Sequence, residues 1–343
     1  MASEITVSFP LNSSEQEKDF FEPYLKYHLL QQRVLHLKNI FVTSSGLCLN
    51  KRGLVKECHH NNPDQYQDFM AEAARHYRDV QRNPENLIQL DNKVNYLLVH
   101  HPWYNYYHWI CECIFRACMV KDQSETMVLL LPEYYRNTDF VISSLEIFSF
   151  KGLYFIPGGK SAMVKNLCLP QIKPIIDSYD CKMVRSVKYL FLKTLEEKNK
   201  PVVNLGERIY ISRAKAAKKK VLNEEDLLPI LQKFGFVVIY NEDLTFWEQV
   251  SGFSNAKYLI SIHGSGLTNM LFMKEGASIL EFRKRVSNAN DWYSPVFWYF
   301  AESLGYRYFQ QNCEPADESE DYFSANYIVD IQLFEKNLSL MIK

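Results

Sequence analysis

The sequence predicts an α/β protein built from two open, mainly parallel sheets in tandem. The first sign is the alternation of the strand-like runs "VNYLLVHH" (94–101), "MVLLLP" (127–132) and "LYFIPGG" (153–159) with helix-like segments at 105–120 and 138–149. The second is that the pattern resumes with "RIYISR" (208–213), "FVVIYN" (236–241), "AKYLISIHG" (256–264) and "SILEF" (278–282). Helix-like segments at 223–234, 245–254 and 266–274 separate these runs. The third is that the later runs are apolar nearly throughout, as strands are when helices cover both faces.

Between the two alternations lie the proline-bearing "LCLPQIKPIIDSYD", the helix-like "CKMVRSVKYLFLKTLEEKNK" and "PVVNLGE", which mark a junction near 170–204. The chain starts with a polar, helix-like segment at 14–32. Short apolar runs broken by Ser-Ser-Gly and Lys-Arg-Gly then read as a β-meander. At the other end come an acidic loop, "CEPADESEDYF", and a last amphipathic helix, "VDIQLFEKNLSLMIK". The expected division is 1–175, 176–312, and a tail at 313–343 whose helix packs across the two domains.

Composition narrows the function. At 343 residues, 47% hydrophobic, 23% charged and net charge −1, the chain reads as a folded protein with no preference for polyanions, so nucleic acid is not an expected partner. No basic, then apolar leader opens the sequence, and no run approaches about 18 apolar residues. A cytoplasmic protein is expected, with peripheral attachment at the inner face of a membrane as the other option. The eight cysteines are scattered and are expected to be reduced and mostly buried. The 22 Tyr and 22 Phe are expected mainly in the core, with some exposed rings stacking on sugar faces.

Ligands of open parallel sheets sit beyond the carboxyl ends of the strands. In "YISRAKAAKKKVLNEEDL", Arg213 ends a strand, Lys218, Lys219 and Lys220 follow, and Asn223 opens a helix as its cap. A guanidinium with lysines suits a diphosphate, although a lysine run is more often a solvated loop. In "ISIHGSGLTNMLF", Gly264 and Gly266 would let amides approach an anion at a helix start, with His263 beside it. Glu281 would face ribose hydroxyls from the next strand.

In "HHPWYNYYHWICECIFR", Asn105, His108 and Glu112 fall on one helix face, and a His–Glu pair four apart can form an oriented general base. The rival readings are a core histidine and a metal site using His100, His101, His108, Cys111 and Cys113. Neither a CxxC pair nor HExxH is present, so no metal is expected.

Together, "NYYHWICE", "ERIYISRAKAAKKKVLNEEDL" and "AKYLISIHGSGLTNMLFMKEGASILEF" resemble the glycosyltransferase 61 family, over about residues 33–285. The resemblance implies a GT-B-like enzyme: two Rossmann-like domains with parallel sheets facing each other across a cleft, inverting transfer from a UDP-sugar, and no required metal or cofactor. It assigns Ser212, Arg213, Lys220 and Asn223, with Lys219 beside them, to the donor loop. It assigns His263, Gly264, Ser265, Gly266, Leu267, Thr268 and Asn269 to the phosphate turn, and Glu281 to a late acidic position. Lys220 stands where arginine is frequent, and Ser265 where alanine is common.

Asn105, His108 and Glu112 match the amino-domain motif, with Tyr107 and Trp109 beside them on the acceptor side. His108 or Glu112 is the base, and Arg213, Lys220 and the amides at 264–268 stabilise the leaving group. The acceptor is expected to be a glycan or lipid-linked oligosaccharide hydroxyl, in capsule or surface polysaccharide synthesis. The alternative is a sugar-nucleotide-binding protein without activity; a kinase is disfavoured because no GxxxxGK[ST] loop is present.

Overall fold

The computed structural model describes residues 2–286 and 293–343. The chain divides into two compact units, one holding Leu30–Ile176 and the other Glu4–Leu29 with Asp177–Lys343.

The first unit is built on a sheet in the spatial order Gly53–Leu54, Cys48–Asn50, Val34–Thr43, Ser161–Pro170, Asn95–Leu98, Met127–Pro132, Gly152–Ile156. The last three are mutually parallel, and Val34–Thr43 with its neighbours forms the antiparallel meander. Ser161–Pro170 joins the two regimes, antiparallel to Val34–Thr43 on one side and parallel to Asn95–Leu98 on the other. The junction expected from residue 170 therefore follows a strand that the sequence reading passed over. Exposed Lys165 and half-buried Asn166 interrupt its apolar pattern, and the proline that suggests a linker ends it, where no further ladder donor is needed.

A second missed element is the helix Pro63–Arg82, which is mostly polar and turns Phe69, Ala73 and Val80 inward. The strand-like runs at 94–101, 127–132 and 153–159 are strands Asn95–Leu98, Met127–Pro132 and Gly152–Ile156. The loops that follow all three therefore leave one edge of the sheet.

In the second unit the order is Val237–Ile239, Arg208–Ile211, Tyr258–Ile262, Ser278–Lys284, Arg307–Pro315, Tyr327–Ile328. The first five are parallel and the last antiparallel. Tyr210, Ile260, Leu280 and Phe309 form the sheet side of a core closed by Leu227 and Leu231 of helix Glu224–Lys233 and by Phe334, Leu338 and Met341 of helix Ile331–Met341.

The expected break at 313 falls inside strand Arg307–Pro315, which with helix Val296–Leu304 adds one more helix–strand step to the alternation. The acidic composition after Cys313 hid it. The segment at 266–274 is a tight 3₁₀ helix, Ser265–Phe272, begun by Leu267 N–H donating to the Gly264 carbonyl at 3.0 Å. Of the polar stretch at 14–32, only Glu15–Phe21 is α-helical, and Lys26–Leu30 is a strand. No helix among the described residues is long and apolar enough to cross a membrane.

One glycine holds a loop of the first unit against its sheet. Gly46 has φ +91°, and a Cβ there would lie 2.5 Å from the His100 carbonyl oxygen. Gly53, with φ +111°, has nothing within 4 Å of that position. Gly53→Ala is expected to cost only backbone strain, about 1–2 kcal/mol, and Gly46→Ala clearly more, because backbone must move as well. Equal losses in urea midpoint would show that His100 is not pinned by Gly46.

Candidate active site

The first unit gathers its polar chemistry around one buried carboxylate. Asn105 caps the helix that begins at Tyr106, its side chain accepting from the His108 amide at 3.1 Å. That cap fixes the first turn, and a widened, π-type stretch at Trp109–Ile114 then carries Glu112. Glu112 Oε2 accepts from His108 Nδ1 at 2.7 Å, and Oε1 from His60 Nε2 at 3.0 Å. His101 Nε2 lies 3.0 Å from Oε2, off the line of a good hydrogen bond, and Lys173 Nζ is 3.9 Å from Oε1. The Glu112 side chain is fully enclosed, whereas His108 keeps 13% of its side-chain surface exposed.

Burial drives the Glu112 carboxyl upward, but His60 and His108, with hydrogen bonds from the surrounding imidazoles, outweigh it and hold it well below the ordinary range. Burial pushes His101 down to about 3 and His60 down as well, against the opposing pull of Glu112. The centre is an enclosed anion ringed by imidazoles. With Nδ1 donating to a carboxylate that only accepts, His108 presents its Nε2 lone pair for a proton.

Sequence reasoning found His108, Glu112 and Asn105 and missed His60 and Lys173. His60 belongs to a short helical turn's exit loop 52 residues from Glu112, a separation with no local signature. Trp103 was missed too; its ring stacks on His60 at 4.7 Å and lies 4.9 Å from His108. Of the two expected acceptor-side residues, one leaves the cluster and the other is built into it. Trp109 is fully buried and donates from Nε1 to Ser144 Oγ at 2.8 Å, and Tyr107 is buried with its hydroxyl 3.1 Å from Lys173 Nζ.

In the second unit, the strand ends bring together Arg213, Lys219 and the His263–Gly264 turn. Arg213 Nε donates to the Lys219 carbonyl at 3.0 Å, and its guanidinium would lie 3.9 Å from a Cβ on Gly264. Lys219 adopts φ +61° and is buried, its ammonium 4.9 Å from the Tyr322 ring centre. Burial, reinforced by Arg283, lowers it to about 7. Lys220 instead binds the Ala214 carbonyl at 2.9 Å, which makes it a brace of the loop.

Other expected ligand contacts are also spoken for within the protein. Ser212 Oγ is bonded to Glu224 Oε2 at 2.8 Å. Asn223 does not cap its helix by side chain; it pairs with the backbone of Val329 at 2.9 and 3.0 Å. Asn269 Nδ2 donates to Gln249 Oε1 at 2.8 Å, and Leu267 and Thr268 are buried. Glu281 does not face solvent, because its carboxylate is enclosed by His263 Nδ1, Arg283 and the Tyr308 hydroxyl. Gly266 serves packing, since a Cβ there would meet Asn241 Nδ2 at 3.2 Å. Gly264 is extended (φ 164°), and it and Ser265 are half-buried.

The profile of the glycosyltransferase 61 family matches residues 106–280, just over half of the chain. The chain belongs to the glycosyltransferase 61 family. It is 27% identical over 202 residues to the EGF domain-specific O-linked N-acetylglucosamine transferase of Drosophila melanogaster, covering 52% of this chain and 38% of that protein. It is 36% identical over 96 residues to the human protein O-linked-mannose β-1,4-N-acetylglucosaminyltransferase 2, covering 27% of this chain and 16% of that protein. The mouse counterpart is 35% identical over 94 residues, or 26% and 16% of the two chains. The matches thus span well under half of these relatives.

The family 61 match takes in both the His108–Glu112 pair and the Arg213–Lys219 loop. Among the described residues, His101, His108 and Glu112 also form a group able to hold a metal ion, their ligand atoms all within 4.8 Å of one another. A metal and the His108–Glu112 hydrogen bond compete for the same lone pairs.

Three buried histidines make this family 61 chain acid-sensitive. His100, His101 and His263 are each pushed down to about 3, chiefly by burial, from an ordinary value of 6.5. Between those values the unfolded chain holds more protons than the folded one, so stability is complete above about pH 6.5 and falls as pH drops toward 3. Urea midpoints are expected to fall from pH 7 to pH 4.5, with a slope that His101→Gln reduces by about one proton. An unchanged slope in the variant would mean that His101 is not held neutral.

Proposed function

We propose that this chain is a glycosyltransferase of GT-B type that moves a sugar from a UDP-sugar to a hydroxyl of a glycan acceptor, with inversion and without a metal. The observation that carries this reading is the His108 Nδ1–Glu112 Oε2 bond of 2.7 Å at the solvent-touching end of an otherwise enclosed cluster. His108 Nε2 takes the acceptor proton as the acceptor oxygen bonds to the anomeric carbon. The bond from that carbon to the diphosphate oxygen breaks, and the diphosphate leaves with the electron pair. Glu112, enclosed on all sides, orients the imidazole and is not itself the base.

Arg213 and Lys219 are proposed to take the diphosphate's charge: the Arg213 guanidinium lies beside Gly264 and holds the backbone of buried Lys219 at 3.0 Å. Family membership supports transferase chemistry. The names of the relatives, which specify N-acetylglucosamine transfer, make UDP-N-acetylglucosamine the first donor to try. A surface-glycan or polysaccharide pathway is the proposed setting.

Isothermal titration with UDP-, GDP- and CMP-sugars in EDTA is expected to give binding of one UDP-sugar that Arg213→Ala loses. His108→Gln is expected to bind that donor normally while transfer falls at least about a hundredfold. Wild-type turnover in His108→Gln would remove it as the base. Donor binding without any turnover by the wild type would favour a sugar-nucleotide-binding protein.

Chelation supplies an independent test. EDTA-treated protein is expected to keep its transfer rate; a loss restored by a divalent cation would put a metal on His101, His108 and Glu112 in place of the base.

A further inference from the structure

Trp109 and Tyr107 are buried, so the rings that meet an acceptor must be sought elsewhere on the same edge of the sheet. Two candidates stand out there. Tyr104, in the loop after Asn95–Leu98, is 63% exposed, and Tyr134, in the turn after the neighbouring parallel strand Met127–Pro132, is 51% exposed. Their rings touch edge to face, with centres 5.6 Å apart.

The pair is anchored. Tyr134 rests on buried Tyr135 at 4.7 Å, and Tyr135 packs on fully buried Trp109 at 5.1 Å. Tyr104 is held in sequence between Trp103, which packs on His60 and His108, and Asn105, the cap of the helix carrying His108. The nearest charged groups on the turn are engaged: Arg136 lies over the Phe155 ring at 4.3 Å, and Glu133 accepts from the Gly158 amide at 3.4 Å. What the pair exposes is mainly aromatic ring surface, flanked by the exposed and engaged Glu133 and Arg136.

Single exposed rings are ordinary on a protein surface; what distinguishes these two is that they touch each other at neighbouring strand ends, one of them in the loop that leads to His108. The chemistry it matches is a neutral sugar ring. One face of a pyranose presents C–H groups with slight positive charge, which complement the negative face of an aromatic ring, while the rim hydroxyls can exchange hydrogen bonds with phenols. A phosphate or carboxylate would be met there by a single cation, Arg136, which is turned onto the Phe155 ring.

We propose that Tyr104 and Tyr134 form a stacking subsite for the pyranose ring of the acceptor, at the strand ends whose loops lead to His108. This rests on the reading of His108 as the base that activates an acceptor hydroxyl, and it narrows the acceptor to one whose reacting end is a neutral sugar.

The test uses saturation-transfer difference NMR on the full chain with the methyl glycosides of mannose, N-acetylglucosamine, galactose and xylose, and with an unglycosylated Ser/Thr peptide. At least one glycoside is expected to show saturation concentrated on the C–H groups of one ring face. That signal is expected to be lost in Tyr104→Ala and Tyr134→Ala, kept in Tyr134→Phe, and not matched by the peptide. Both tyrosines are exposed, and unchanged melting would confirm that the variants fold. In transfer assays the alanine variants are expected to raise acceptor KM about tenfold with donor KM unchanged.

No glycoside signal, a signal indifferent to both alanine variants, or binding of the peptide alone would each overturn the subsite. UDP-sugar binding measured in parallel separates the two failures. If it persists while the glycoside result is negative, the subsite alone falls; if the wild type neither binds nor turns over a UDP-sugar, the transferase reading falls with it.

Discussion

The first unit is organised by the need to keep one buried carboxylate charged. An enclosed anion is costly unless donors replace the water it has lost, and Glu112 obtains them from distant parts of the chain. His60 comes from the loop before helix Pro63–Arg82 and His108 from the turn just before Glu112, while His101, after strand Asn95–Leu98, and Lys173, beyond strand Ser161–Pro170, close in at 3.0 and 3.9 Å. Each donor fixes the position of the segment that carries it. Arg116, fully buried about one turn further on, does the same for neighbouring backbone by donating to the carbonyls of Pro170 and Val99. A charged group that ties so many segments together also sets the one imidazole that reaches solvent.

The second unit solves a similar problem with the opposite result. Glu281 is buried in the middle of strand Ser278–Lys284, and His263, Arg283 and Tyr308 enclose it completely. Burial works against its charge, while Arg283 and His263 together hold it low. The acidic residue is therefore internal structure that orients the His263 turn. The groups left to meet an anion are the cations at the strand ends.

Legibility in the sequence followed the range of the interactions. The alternating strands and helices were readable because their patterns are local, as were the His108–Glu112 spacing and the Arg213 and His263 elements at strand ends. Strand Ser161–Pro170 was not, because its pairing partners lie far away on both sides and its own residues mix Lys165 and Asn166 with apolar ones. His60 escaped for the same reason. Tyr107 and Trp109 were misplaced because being one residue from His108 on a helix turns a side chain about 100° away, here into the core. Tyr104 lies in the loop before the helix, where no periodicity indicates exposure.

The lysine run shows how backbone conformation settles what composition leaves open. From the sequence, Lys218, Lys219 and Lys220 are equivalent positive charges in a loop. The structure separates them: Lys220 is spent on the Ala214 carbonyl, while the left-handed turn at Lys219 directs its side chain inward over Tyr322. A non-glycine residue in that conformation is strained, and burying an ammonium near Arg213 and Arg283 adds to the cost. Both costs fall on the same residue, and Tyr322 offsets only part of them through the attraction of its ring for a cation. The Glu281 and Asp321 carboxylates also draw Lys219 toward its charged form, and a diphosphate between Arg213 and Lys219, as proposed above, would add further countercharge. On the proposed donor role, holding Lys219 inward is a cost that a bound diphosphate would partly offset.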